Sequence, residues 1–312
     1  MFFRQLQYLV ALSEEEHFGR AAERCHVSQP SLSIAVKQLE YQLSVPIVMR
    51  GRRFMGFTNE GLRVVDWAKR VIAERDAMLV ELSGMRENFE GRIRIGAMPN
   101  SSPVLPLFNE VLTSKYPGIS VNIQFLGIDE MRSDLNNYSL DVGITYLQQN
   151  EVKDLNSIPI YEDRLSLLVP DTEENRGKKE ISWEEASKLP LCLLDQSMPE
   201  RKIVDDAFAK IGFTPKPKVT ASDSILNLIF HVMFAGLVTV IPRHFRVPGQ
   251  LSGVRALDLI EPEIRQEVGL VWVPSEPMMP MANLMVSIVK DLKSSGELTQ
   301  RLSDLSENLI SS

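Results

Sequence analysis

Gln29, Ser33 and Lys37 stand four residues apart and put an amide, a hydroxyl and a cation along one line of a helix. Such groups read base edges and hold phosphates. Pro30 and Ser31 share the first turn of that helix and belong to the same candidate set. Arg50, Arg52 and Arg53 follow, just ahead of Phe57-Thr58. Guanidinium groups at the tip of two short strands suit phosphate contact or minor-groove insertion. The other reading of these residues is an ordinary amphipathic helix beside a solvated basic loop. A second group of candidates lies downstream. In Pro99-Asn100-Ser101-Ser102-Pro103, Ser102 is expected to cap a helix with Pro103 at its first position. The amides and hydroxyls of Asn100, Ser101 and Ser102 would then form an anion site without a basic side chain, or serve as caps only. In the turn running from Asp195 to Arg201, Gln196 and Ser197 are polar. Arg201 has two fates, a bidentate grip on a carboxylate or a surface salt bridge. Ser224 opens a further helix.

Other chemistries find no support. No nucleophile elbow, phosphate loop, dinucleotide fingerprint or zinc motif occurs, so neither an enzyme nor a cofactor or metal site is expected. The four histidines, His17, His26, His231 and His244, do not cluster and are read as structural. Two cysteines rule out a disulfide framework. Cys192 lies in the apolar run Leu191 to Leu194, which favours a buried, inert thiol over a redox switch.

The elements that must position these residues follow from periodicity. Residues 2–14 read as a first helix with Leu6, Leu9, Val10 and Leu12 inward. Ala21 and Ala22 allow two helices to approach closely, and Ser28 caps the helix bearing Gln29. Pro30 is tolerated there because first-turn amides lack intrahelical partners. On that helix Leu32, Val36, Leu39 and Leu43 form the inward stripe. A long helix is predicted from Thr58 to about Phe89. Its stripe Leu62, Val65, Ala68, Ile72, Leu79, Leu82, Met85 and Phe89 suits a dimeric coiled coil, the other reading being a linker without a partner.

From Arg92 strands alternate with helices. Strands are predicted at 92–96, 121–125, 141–145, 165–169, 191–194 and 238–241, and helices at 104–115 and 131–137. This argues for a mostly parallel α/β sheet, with 267–273 returning to it. The chain would cross twice between two subdomains and leave a cleft. The expected division is therefore a head at 1–58, a linker helix at 59–89 and a third part at 92–312. Subdomain I would comprise 92–162 and 267–312, and subdomain II 163–266.

Net charge is −7, but the first 91 residues hold twelve basic and twelve acidic residues, so the remainder carries all of it. DNA would be held by local placement of cations, not by a globally basic surface. Hydrophobic residues make up 44% and charged residues 24%, as in ordinary globular proteins. No run is long enough to span a bilayer, and the N-terminus lacks signal-peptide features, so cytoplasmic residence is expected.

Phe18, Ala21-Ala22, Ser28-Gln29-Pro30-Ser31-Leu32-Ser33, Leu39-Glu40, Leu43, Arg50 and Thr58-x-x-Gly61 together resemble the winged helix–turn–helix of LysR-type transcriptional regulators. Ser44 to Met49 departs from the glycine and Leu-Phe pair usual there, and Ile34 adds an apolar side chain near the reading face. Phe234-Ala-Gly-Leu-Val-Thr-Val-Ile-Pro242 resembles the family more loosely, with Val238 in place of a second glycine. The resemblance implies a winged helix–turn–helix, a linker helix and a two-subdomain effector domain similar to bacterial solute-binding proteins. It also implies a homo-oligomer, a dimer of dimers, binding promoter double-stranded DNA, with RNA polymerase as a further candidate partner. A small effector, an organic anion by first expectation, would sit between the subdomains. By family position Ile128, Asp129 and Tyr146 face that effector and suggest a less polar pocket with a phenol as its handle. The alternative function is a sensor module that binds a small molecule but no DNA.

Overall fold

The structure, a computed structural model, describes the 312-residue chain apart from residues 50–53, 85–89, 103, 197, 222–223, 244–252 and 308–312. Two compact units emerge. One is Met1–Phe89 with Asn136–Ser139, the other Glu90–Leu135 with Leu140–Ser312.

The first unit is helical. Helices α1 (Phe3–Glu15), α2 (Phe18–Arg24) and α3 (Gln29–Leu43) pack around two apolar clusters. Leu6, Leu9, Leu39 and Ile47 centre one, and Leu12, Ala21, Ala22, Leu32 and Val36 the other. A short antiparallel bridge, Val48 with Phe57, marks the base of a wing. Glu40 anchors it, its Oε1 accepting from the amides of Ile47 (2.7 Å) and Val48 (2.9 Å). The long helix α4 (Asn59–Gly84) then begins, with Thr58 as its turn-former. Thr58 Oγ1 donates to the Pro46 carbonyl (2.6 Å) and accepts from the Gly61 amide (2.8 Å). A Cβ at Gly61 would lie 2.0 Å from the Ile47 carbonyl oxygen, so only glycine fits this close approach.

The predicted coiled-coil stripe of α4 divides in two. Val65 and Ala68 are buried in the unit's own core, with Ile72 packed beside them. Leu62, Leu79 and Leu82 are exposed, and Met85 and Phe89 lie outside the described residues.

The second unit is a two-part α/β assembly. Strands β1 (Gly91–Ala97), β2 (Ile119–Phe125) and β3 (Val142–Tyr146) pair in parallel in the order β2-β1-β3. Helices α5 (Leu105–Lys115) and α6 (Ile128–Asn136) are the crossovers. Asp141 ties β1 to β3, accepting from the Arg94 amide (2.7 Å) and guanidinium (2.6 and 3.1 Å).

Strand β4 (Asn156–Pro170) runs unbroken through both parts. Its first nine residues pair with β10 (Arg265–Trp272), which also pairs with β3. Its last six pair with β8 (Thr239–Pro242) and β9 (Val254–Ile260), and β5 (Glu180–Ser182) joins β9. Strands β6 (Cys192–Leu194) and β7 (Val219–Ala221) form a separate parallel pair. The helices of this part are α7 (Trp183–Ser187), α8 (Pro199–Lys210) and α9 (Ile225–Ala235). Two more, α10 (Pro280–Ser294) and α11 (Glu297–Glu307), follow β10.

The sheet is therefore mixed, not mostly parallel. Both pairings of β10 are antiparallel, because the returning chain enters between β3 and β4 from the opposite end. Among the described residues no helix is long and apolar enough to cross a membrane.

Candidate nucleic-acid interface and effector cleft

In the first unit, His17 and Ser28 set the positions of α2 and α3. His17 Nδ1 accepts from the amides of Gly19 (3.1 Å) and Arg20 (3.3 Å), which fixes the unprotonated nitrogen and makes this histidine a helix cap. Ser28 Oγ accepts from the Ser31 amide (3.3 Å) and lies 2.7 Å from Ser31 Oγ, so Ser31 is engaged in the cap. Gln29, Pro30, Ser31 and Lys37 are exposed, and Ser33 is half-buried. Gln29, Ser33 and Lys37 line one surface groove, and Tyr41, 86% exposed, extends the same line by one further step of four. Tyr41 was not singled out in the sequence, although its spacing already placed it. Ile34 is 55% exposed on this helix. Arg50, Arg52 and Arg53 lie outside the described residues.

In the second unit a cavity of about 20 Å³ lies in the cleft between the two parts of the sheet. That is room for a single water-sized group. Asn100, Tyr146, Glu200 and Arg201 supply its polar lining, and aliphatic side chains including Leu165, Leu193, Ile203 and Ile241 the rest. A one-turn 3-10 segment, Pro99–Ser101, carries Asn100 at the end of β1, and Tyr146 ends β3. Glu200 and Arg201 begin α8. All four polar residues are buried.

The hydrogen bonds are directional. Tyr146 donates its proton to Asp163 Oδ2 (3.1 Å) and accepts from Asn100 Nδ2 (3.3 Å). The Asn100 amide donates to Glu200 Oε1 (3.2 Å), while Glu200 Oε2 is buried with no hydrogen-bond partner among the described residues. Burial, opposed by hydrogen bonds from amides and reinforced by Asp163, pushes the Glu200 carboxyl up to about 7. Burial and the nearby Asp163 and Glu200 also hold the phenols of Tyr146 and Tyr161 well above their ordinary range. Arg201 donates Nε to Asp205 (2.8 Å) and Nη1 to the Leu194 carbonyl (2.7 Å).

Several expectations change here. Ser102 does not cap α5: its hydroxyl donates to the Pro99 carbonyl (2.6 Å), and Val104 occupies the cap position. Ser101 likewise donates to the Met98 carbonyl (2.7 Å), because the chain turns through a 3-10 segment before the helix. Where a ligand anion was expected to meet the loop amides, the Asn100 amide already meets the protein's own Glu200. Ile128 points into the cluster of Met131, Leu135 and Leu140, and Asp129 is exposed, so neither lines the cavity. Gln196 is exposed, Ser197 lies outside the described residues, and Ser224 caps α9 by accepting from the Asn227 amide (3.2 Å). The cavity thus brings together Asn100, Tyr146 and Arg201 of the candidates, and adds Glu200.

Cys192 is fully buried on β6, its thiol facing the carbonyls of Val238 (3.5 Å) and Leu228 (3.9 Å). Burial pushes that thiol up to about 11. Cys25 is also raised, chiefly by burial.

Comparison with known proteins places these two units in context. Residues 86–293 match the family model described as LysR substrate binding domain. Residues 3–62 match the bacterial regulatory helix-turn-helix protein, lysR family. A hydrogen peroxide-inducible genes activator of Haemophilus influenzae is 27% identical over 304 residues, covering 93% of this chain and 97% of that protein. The DNA-binding transcriptional dual regulator OxyR of Escherichia coli K12 is 29% identical over 282 residues, 89% of this chain and 91% of that one. Among solved structures, a full-length cysteine-to-aspartate variant of OxyR from Pseudomonas aeruginosa superposes with a TM-score of 0.71 at 27% identity, covering 93% of this chain and 94% of that one. CbnR in complex with its target DNA shares the fold, with a TM-score of 0.68 at 19% identity over 93% and 99% of the two chains.

Proposed function

The chain belongs to the LysR family of bacterial transcriptional regulators, and from that premise we propose how this member reads DNA and what it answers to. Gln29, Ser33 and Lys37 of α3 contact base edges or phosphates in the major groove, with Pro30 and Ser31 shaping the helix start and Arg50, Arg52 and Arg53 on the backbone. The observation that carries this reading is the polar line of α3, with Gln29 and Lys37 exposed and Ser33 half-buried, on a helix whose Leu32, Val36 and Leu39 are buried in the head. Replacing both Ser33 and Lys37 by alanine is expected to cost about 1–3 kcal/mol of discrimination per lost base contact. Loss of a phosphate contact from Lys37 also lowers the salt dependence of binding by about one counterion. Operator titrations at several salt concentrations measure both, and unchanged affinity, selectivity and salt slope would refute the assignment.

The protein works as a homo-oligomer in the cytoplasm, recognises promoter DNA in paired half-sites and changes their geometry when a small effector occupies the cleft. RNA polymerase would be the downstream partner, and no turnover of the effector is involved.

Two of its relatives are named for hydrogen peroxide induction or as OxyR, which makes a thiol sensor the natural second reading. The thiol chemistry here argues against it. A thiolate is the reactive form, and a buried thiol near pKa 11 supplies almost none at neutral pH. We therefore assign the signal to the cleft and not to Cys192. Micromolar peroxide is expected to leave operator binding unchanged. A peroxide response abolished by Cys192→Ala would overturn this.

A further inference from the structure

The cleft residues differ in what they can give and take. Tyr146 has spent its single proton on Asp163 and one lone pair on Asn100 Nδ2, which leaves its second lone pair to accept. Glu200 lines the cavity with an oxygen that is buried and has no hydrogen-bond partner among the described residues. Arg201, the cation of the lining, is committed to Asp205 and to the Leu194 carbonyl. The lining therefore presents acceptors and negative charge, and a bound carboxylate would face Glu200 across a cavity the size of one water. An ammonium group is about that size and has three donors to give. The space holds only the ammonium head, so a short hydrocarbon stem would enter against the aliphatic wall of Leu165, Ile203 and Ile241 only by widening the cavity.

We propose that the cleft is a receptor for a primary aliphatic ammonium, with Glu200 as its counter-ion and Tyr146 as a second acceptor. The proposal rests on the cleft being the effector site, and it replaces the organic anion first expected there. The carboxyl titrating near 7 adds a signature. A bound cation expels the Glu200 proton, so affinity rises between pH 5.5 and 8. Asp163 on β4, the two raised phenols Tyr146 and Tyr161, and the Arg201–Asp205 pair on α8 are the other ionisable groups around it. Neither phenol deprotonates in that range.

The test is calorimetric titration of the full-length protein with butylammonium and 1,4-diaminobutane, set against pentanoate. At least one ammonium probe is expected to bind, tighter at pH 8 than at pH 5.5, and pentanoate is not. Glu200→Gln should weaken the binding at least tenfold and Tyr146→Phe more mildly. Binding of pentanoate in preference, no ammonium binding up to about 50 mM, well beyond the millimolar dissociation constants that mark weak association, or equal affinity in Glu200→Gln would overturn the proposal. The cleft as effector site is judged separately. If a different metabolite alters operator binding and a bulky Leu193→Trp block abolishes that response, the regulator reading stands while the ammonium assignment falls.

Discussion

Glu200 joins a carboxyl buried to 5% exposure with a pKa raised from an ordinary 4.5 to about 7, and this makes stability depend on pH. A raised carboxyl pKa means that the folded state holds a proton the unfolded chain has already released. The cost of burial is absent below about pH 4.5, grows through the interval and is complete above 7, on the order of 3 kcal/mol. Glu200→Gln removes the titration. Its urea midpoint is expected to exceed that of the parent at pH 8 and to approach it at pH 5, and an equal difference at both pH values would refute the titration. Glu200 also shows where residue-level reading stops. Its neighbour Arg201 announces itself as a carboxylate ligand, but both are buried beside residues far away in sequence, Asn100 after β1 and Tyr146 on β3, with which they line one cavity. Tyr146 was reachable only through family position. Gln29, Ser33 and Lys37 were legible because their spacing and the helix that displays them are both local.

At the scale of elements, the wing and its junction with α4 depend on two contacts. Gly61→Ala would drive a methyl into the Ile47 carbonyl, and overpacking of this kind costs about 1–3 kcal/mol or more. Thermal melting and operator binding should both suffer. Ser44 ends α3 with φ +57°, a left-handed conformation that a serine adopts at a cost. It falls in the segment where the family usually has a glycine. Ser44→Gly is expected to stabilise the head by about 1 kcal/mol, measured as a higher denaturation midpoint. Helices with caps and stripes could be located from sequence, as α1 and α3 show. Strands β5, β7 and β9 were not located, since the partners that make them strands, β9 for β5, β6 for β7, and β4 and β5 for β9, lie far away in sequence. The caps of α5 failed for a different reason: a 3-10 turn uses the same serines and prolines as a helix start.

At the scale of the whole molecule, α4 leaves a row of exposed apolar side chains, Trp67, Val71, Met78 and Leu82, at spacings of four, seven and four. Leu82 belongs to the predicted stripe as well, and this exposed row lies beside the face that buries Val65 and Ala68; in the proposed homo-oligomer it would be a seam for a second copy. Trp67→Glu with Leu82→Glu is expected to shift the protein to monomer in sedimentation, with its melting of the head little changed because neither side chain is in the core. Operator affinity should fall with the loss of paired heads. Residues 92–312 carry the whole net charge of −7, which would disfavour contact of that part with a polyanion such as DNA. The continuity of β4 has a mechanical consequence. A fifteen-residue strand that is hydrogen-bonded on both sides of the cleft is a poor door hinge and a good torsion bar. Motion of one half against the other is therefore expected as a shallow twist spread along its length, so that signalling is read out in degrees of rotation, not in the width of a gape.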